Sequence, residues 1–147
     1  MGLEENVVQN KIMKYLNQNG VNVDFPIVKQ SIAFRINSKG IKGRKSTLPS
    51  GFPDIASIIT VHGKAIPFFV EVKAPTKKCT NKDQLAFIDD MNKRGAWALW
   101  ANSVEMVKEY IRSQILSIFA KNATEPDQST DTIYSARQRQ TKNFTES

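Results

Sequence analysis

Apolar residues recur at three- and four-residue spacings from Leu3 to Asn19. Val8, Ile12, Tyr15 and Leu16 fall on one side of a predicted helix, and Gly20 supplies its C-terminal stop. The period then changes. Ser31-Ile-Ala-Phe-Arg-Ile-Asn37 alternates apolar and polar residues as a strand does, whereas Ser38 to Phe52, with three glycines, one proline and four bases, reads as a loop. Two runs rich in β-branched and aromatic residues, Asp54 to Val61 and Ile66 to Lys73, flank His62-Gly63 and predict a hairpin. After Pro75 a basic loop leads to Thr80, the expected N-cap of a helix that runs to about Arg94. Gln84, Phe87, Ile88 and Met91 share one face of it, and Gly95 ends it. Ala96 to Ala101 is a short, wholly apolar run that suits a buried strand. Ser103 caps a last amphipathic helix through Val104, Val107, Tyr110, Ile111 and Ile115. From Asn122 the chain is polar and aperiodic, so the expected organisation is one domain over residues 1–121 and a flexible tail over 122–147. The predicted order α-β-β-β-α-β-α is that of an α/β fold, a mixed sheet flanked by helices.

Composition narrows the class. A chain of 147 residues suits one domain with a sizeable core, and no run approaches the roughly 18–20 apolar residues that a membrane span requires. The start, Met-Gly-Leu-Glu-Glu, lacks the basic and apolar regions of a signal peptide, so an intracellular, cytoplasmic protein with no membrane partner is expected. Asn6 stands where a myristoylated N-terminus needs Ser or Thr. Cys79 is the only cysteine, which excludes an intramolecular disulfide and a cysteine-based zinc cluster. The formal net charge is +7. Residues 121–147 hold four bases and four acids, so the whole excess lies in residues 1–120. Between Phe25 and Pro53 there is no acid, yet Lys29, Arg35, Lys39, Lys42, Arg44 and Lys45 all fall there. Such one-sidedness is the footprint of a phosphate-binding surface, although a solvated cationic loop would look the same.

The hairpin carries the candidate chemistry. With His62-Gly63 as a two-residue turn, Val61 pairs with Lys64, and counting back sets Asp54 opposite Glu71. Alternation then puts Asp54, Glu71 and Lys73 on one face, with opposed Cα atoms about 4.5–5.5 Å apart. A Gly63-Lys64 turn would keep the three on one face; a three-residue loop would not. The flanking residues are apolar enough for a strand pair covered on both faces. Two adjacent carboxylates there repel each other and are costly to bury. A divalent cation removes both problems, and hard oxygen ligands suit Mg²⁺ or Mn²⁺ rather than zinc. The competing reading is an internal Asp–Lys–Glu salt-bridge network.

The ordered set Gly51-Phe-Pro53-Asp54, Phe69-Val-Glu71-Val-Lys73-Ala-Pro and Gln84-Leu-Ala-Phe87 resembles the PD-(D/E)xK nuclease superfamily, and within it the VRR-NUC group of virus-type replication and repair nucleases. Glu5, Gln9 and Ile12 match the N-terminal helix of that group, and Arg35-Ile-Asn37 with Gly40 resembles its first strand and turn. The resemblance spans about residues 3–112. It implies a restriction-endonuclease-like fold with a four-stranded mixed sheet, related to Holliday junction resolvases, and metal-dependent hydrolysis of DNA phosphodiester bonds. Small members of this type look like homodimers acting on branched or four-way junction DNA. Other readings are a nonspecific nicking or flap nuclease, and a non-catalytic nucleic-acid-binding module on the same fold. The intact Asp54, Glu71 and Lys73 set argues against the last of these.

Under this resemblance each residue acquires a role. Asp54 and Glu71 would be side-chain ligands of Mg²⁺ or Mn²⁺, and the Val72 carbonyl a backbone ligand. Lys73 would orient the attacking water or neutralise developing charge. Gln84 would hold Lys73 or the water in place. Glu5 would approach from the first helix, as a ligand through water or as support for a second metal, with Glu4 as its competitor. Arg35, Lys39, Lys42, Arg44 and Lys45 would contact DNA phosphates. His62 is expected to be a turn residue, Cys79 a bystander, and Trp97 and Trp100 core residues on opposite faces of their strand.

Overall fold

The computed structural model describes residues 2–18, 32–36 and 47–124. The chain runs through α1 (Leu3–Gln18), β1 (Ile32–Arg35), β2 (Ile55–Val61), β3 (Lys64–Val72), α2 (Lys82–Lys93), β4 (Trp97–Ala101) and α3 (Val104–Thr124). The architecture is mixed α/β. The sheet is ordered β1-β2-β3-β4, antiparallel from β1 to β3 and parallel between β3 and β4. A parallel pair cannot be joined by a tight turn, and α2 makes the required crossover.

The β2–β3 turn sets the register on which the site depends. His62 and Gly63 both have positive φ, 48° and 73°, as a two-residue type I′ turn demands. Val61 therefore faces Lys64, and the pairing continues to Ile55 opposite Val70. Because the turn is this tight, β3 starts at Lys64, two residues before the expected Ile66.

Alternation divides the sheet into two unlike faces. On one, Phe68, Val70 and Val72 are fully buried together with Ile55 and Ile59, and Leu99 is buried beside them. Tyr110 of α3 stacks on Phe68 at 6.0 Å and meets Trp97 edge-on at 6.4 Å, and Val107 and Ile111 of the same helix are buried. α1 adds its own apolar row, Val8, Ile12 and Leu16. Each such side chain contributes about 1.5–3 kcal/mol by leaving water. On the other face α2 covers the end of β3 through Phe87, whose ring lies 5.6 Å from Phe69. Twelve residues of helix do not reach the hairpin tip, and Ile58 there is 46% exposed. The expectation of a strand pair covered on both faces thus holds only at the site end.

Two asparagines tie helices to backbone at the outer strands. The Asn17 side chain accepts from the Ala33 N–H and donates to the Ala33 carbonyl, and Asn92 does the same at Ala98. Open strand edges invite unwanted pairing, and both contacts occupy backbone groups that would otherwise be offered there. Residues up to Arg112 form one compact unit and those from Ser113 a second, in which Leu116 and Phe119 are exposed. No helix among the described residues is long and apolar enough to cross a membrane.

Candidate active site

Asp54 stands just before β2, where the Ile36 N–H donates to its carbonyl at 2.8 Å. Its position follows the register one step beyond the Ile55–Val70 pair, which is opposite Glu71. The carboxylate is turned across the strands. Its Oδ2 accepts from the Val72 N–H at 2.9 Å. Glu71 and Lys73 share a face two residues apart, and Lys73 Nζ lies 2.8 Å from Glu71 Oε1. Asp54, Glu71 and Lys73 thus meet at the end of the central strand pair.

Gln84, in the first turn of α2, closes the network. Its Oε1 accepts from Lys73 Nζ at 2.9 Å and its Nε2 donates to Glu71 Oε1 at 2.5 Å. Glu71 is only 3% exposed. With Oε1 accepting both bonds, Oε2 is buried and accepts no hydrogen bond, and the Asp54 and Glu71 carboxyls stand within reach of a shared proton. A buried carboxylate oxygen without a donor is unfavourable by about 1–3 kcal/mol or more, and a cation bound there would relieve that penalty. Burial is also the main force that lifts the Glu71 carboxyl to about 7, with the negative charges of Asp54 and Glu5 adding to it and Lys73 opposing. The Asp54 carboxyl is raised as well, by burial first, against the pull of the Val72 N–H. For Lys73 burial acts downward, but its hydrogen bond and charge pairing with Glu71 prevail and its ammonium is held more firmly than usual.

A loop and a helix end hold these groups in register. Gly51, at φ +80°, lies so close to α2 that a Cβ there would sit 2.4 Å from the Asp83 carbonyl oxygen. The Ser50 hydroxyl donates to Asp83 Oδ2 at 2.6 Å. The rings of Phe52, Phe69 and Phe87 meet at 5.1–6.1 Å. The loop before Asp54 is therefore clamped to the turn that carries Gln84. The N-cap of α2 is Asn81, not the expected Thr80; its Oδ1 accepts from the N–H groups of Asp83 and Gln84. Cys79 is buried rather than peripheral, and its thiol donates to Gln84 Oε1 at 3.5 Å. Neither the Cys79 contact nor the Ser50–Asp83 bond had a local signal in the sequence.

The remaining predicted residues divide. Glu5 is half-buried on α1 and adds negative charge to both Asp54 and Glu71, while its Oε2 accepts from the Gly2 N–H at 3.4 Å. Glu4 is exposed. Among the described residues no three His, Cys, Asp or Glu side chains gather closely enough to hold a metal alone, so Glu5 does not complete a three-acid cage with the pair. Val72 ends β3 beside both carboxylates. Arg35 is exposed and bonds to Asn10 of α1. Lys39, Lys42, Arg44 and Lys45 lie outside the described residues, as do Lys29, Gly20, Asn37, Gly40 and residues 125–147. His62 occupies the hairpin tip. Trp97 packs in the core, whereas Trp100 is half-buried and pairs in register with Glu71.

Residues 3–105 match the family described as the VRR-NUC domain, a span that contains all five side chains of the site from Glu5 to Gln84. No curated protein and no solved structure matches the chain.

Proposed function

The chain belongs to the VRR-NUC family, a family of nuclease type, and from that premise we propose that it is an endonuclease that hydrolyses DNA phosphodiester bonds with Mg²⁺ or Mn²⁺. The observation that carries the metal is the buried, unpartnered Glu71 Oε2 beside the Asp54 carboxylate. A purely structural ion pair gives no reason to bury a second carboxylate oxygen with nothing to bond. Asp54 and Glu71 would hold the ion, with the Val72 carbonyl as a backbone ligand and Glu5 acting through water. When bound, such an ion polarises a phosphoryl oxygen and makes water acidic enough to attack at neutral pH.

The protein's own groups supply the rest. An ammonium has three donors, and Lys73 gives two of them to Glu71 and Gln84. The third is available for the attacking water or a phosphoryl oxygen, where a fixed positive charge lowers the energy of the transition state. Gln84 holds both partners from one amide, so the acid and the lysine keep their spacing as charge develops. Gln84 and Lys73 are positioned by the same helix end that grips the loop before Asp54.

The preferred substrate in this reading is branched DNA, cut by a cytoplasmic homodimer of restriction-endonuclease-like subunits, because symmetric cleavage of a four-way junction needs two sites. The test is incubation of the protein with linear, nicked, flapped and four-way DNA in Mg²⁺, Mn²⁺ or EDTA. Metal-dependent cutting that is strongest on branched forms supports the whole reading. Equal cutting of every form leaves a nonspecific nuclease, and no cutting under any condition overturns the enzyme.

A further inference from the structure

Three lysines outside the metal-site network stand next to it. Lys77, Lys78 and Lys82 are all exposed, and among the described residues no acid pairs with any of them. They follow Lys73 directly, on the connection from β3 to α2. That connection is fixed at both ends. Ala74-Pro-Thr-Lys77 forms a turn closed by the Lys77 N–H bonding the Ala74 carbonyl at 2.9 Å, with proline at the position where its fixed φ is favoured. Asn102 donates to the Lys77 carbonyl at 3.0 Å, and Asn102 follows Ala101, whose carbonyl accepts from the Lys73 N–H at 2.9 Å. At the other end the Cys79 thiol bonds Gln84, and Asn81 caps the helix that Lys82 begins.

These anchors set distances. A closed turn keeps Cα74 within about 7 Å of Cα77, and one further residue adds at most about 3.8 Å. Lys77 therefore starts roughly 11 Å or less from Lys73, and a lysine side chain can swing its charge over much of that gap. Successive phosphates rise about 3.4 Å along one strand of a duplex. A strand that has its scissile phosphate at Lys73 and runs toward the start of α2 would bring its neighbouring phosphates within reach of this rim. Asp83, the nearest acid in the chain, is engaged by Ser50.

We propose that Lys77, Lys78 and Lys82 form a pre-set basic rim that grips the phosphate backbone of duplex DNA beside the cut. The inference rests on the nuclease reading and names the surface that holds its substrate. It is a second basic element, separate from Arg35 and the segment with Lys39, Lys42, Arg44 and Lys45. Its backbone is anchored at both ends by hydrogen bonds. The rim contacts phosphates and not base edges, so it acts equally on every duplex-bearing substrate and carries no sequence preference.

The experiment measures duplex binding against salt concentration in EDTA, using the full-length protein. The variants are Lys77→Ser/Lys78→Ser/Lys82→Ser and a charge-matched control, Lys14→Ser/Lys64→Ser/Lys93→Ser, whose positions lie on α1, at the hairpin tip and at the far end of α2. Every phosphate that the protein ceases to neutralise lowers the log–log slope by roughly 0.9. The rim variant is expected to fall by at least one such step, and the control by none. An unchanged slope in the rim variant, or an equal fall in the control, overturns the proposal. Cleavage in Mg²⁺ is assayed separately on the parent protein. A parent protein that binds with the full slope yet cuts nothing would sink the enzyme while the rim stands; a parent that does not bind DNA would sink both.

Discussion

Neighbouring residues of β3 occupy opposite environments. Phe68, Val70 and Val72 point into a face closed by α3, where the packing is apolar apart from Ser57, whose hydroxyl donates to the Phe68 carbonyl at 3.0 Å. Phe69, Glu71 and Lys73 point to the face under the start of α2, where burial is imposed on an acid that has two bonds on one oxygen and none on the other. One strand therefore serves two purposes. The first face gives stability that does not depend on pH or ions. The second holds a polar arrangement that would be unfavourable alone, and it can do so because the first is so well packed. Substitutions on the two faces should differ in kind as well as in size.

The largest effect is expected on the closed face. Phe68→Ala should destabilise the protein by about 3–5 kcal/mol, through forfeited transfer energy and a cavity beneath Tyr110. Denaturant unfolding checks the size. The loss should be the same with and without Mg²⁺, and a loss that depends on the ion would mean that the faces are not independent.

Next comes the clamp that joins the two sides of the site. Gly51→Ala places a Cβ against the Asp83 carbonyl and forces a left-handed backbone onto alanine, at a cost of at least about 1–2 kcal/mol. Because the same contact sets Gln84, cleavage should fall as well. Ser50→Ala, which removes only a bond to Asp83, should do less to both. Equal stability of Gly51→Ala and wild type would show that the loop and helix are not tightly apposed.

A third effect separates the faces by pH. The Glu71 carboxyl is raised from 4.5 to about 7, so the folded state binds this proton more tightly than the unfolded chain does. Stability of the metal-free protein is then greatest below the ordinary glutamate range and declines as pH rises through 7. Metal binding, which needs the carboxylate, should run the other way and fail as pH falls below 7. Lys73→Met removes the charge that opposes the upward shift, so it should move metal binding to higher pH while abolishing cleavage. Melting curves from about pH 5 to 8 check the sign. A metal-free protein that gains stability across this range would contradict it.

How much of this was legible depended on how local the signal was. The register that pairs Asp54 with Glu71 followed from strict alternation and a two-residue turn, both readable within a short stretch of chain. Gln84 came from the family motif, with the helical face it shares with Phe87. The clamp was not legible, because Ser50 and Asp83 are 33 positions apart and nothing local marks them as partners. Cys79 looked idle for the same reason: its value lies in touching Gln84. Thr80 and Asn81 are both good caps by type, and only the path of the chain into α2 selects the second. The open patch at Ile58 was missed because the length of β2 and β3 was visible but the reach of α2 across them was not.

In the proposed function the polar face of β3 holds a cation rather than forming an ion pair. Thermal melting of wild type and Glu71→Gln at about pH 8, with and without Mg²⁺, tests it most directly. An ion present at about a hundred times its dissociation constant adds about 2.7 kcal/mol, which at about 2–4 °C per kcal/mol for a domain of this size is a rise of roughly 5–10 °C. Wild type should show that rise. Glu71→Gln should show none, and should melt at or above metal-free wild type, because one of two adjacent negative charges is gone. Wild type indifferent to the ion, with Glu71→Gln weakened by about 3–5 kcal/mol, would make the network a structural salt bridge and contradict the account.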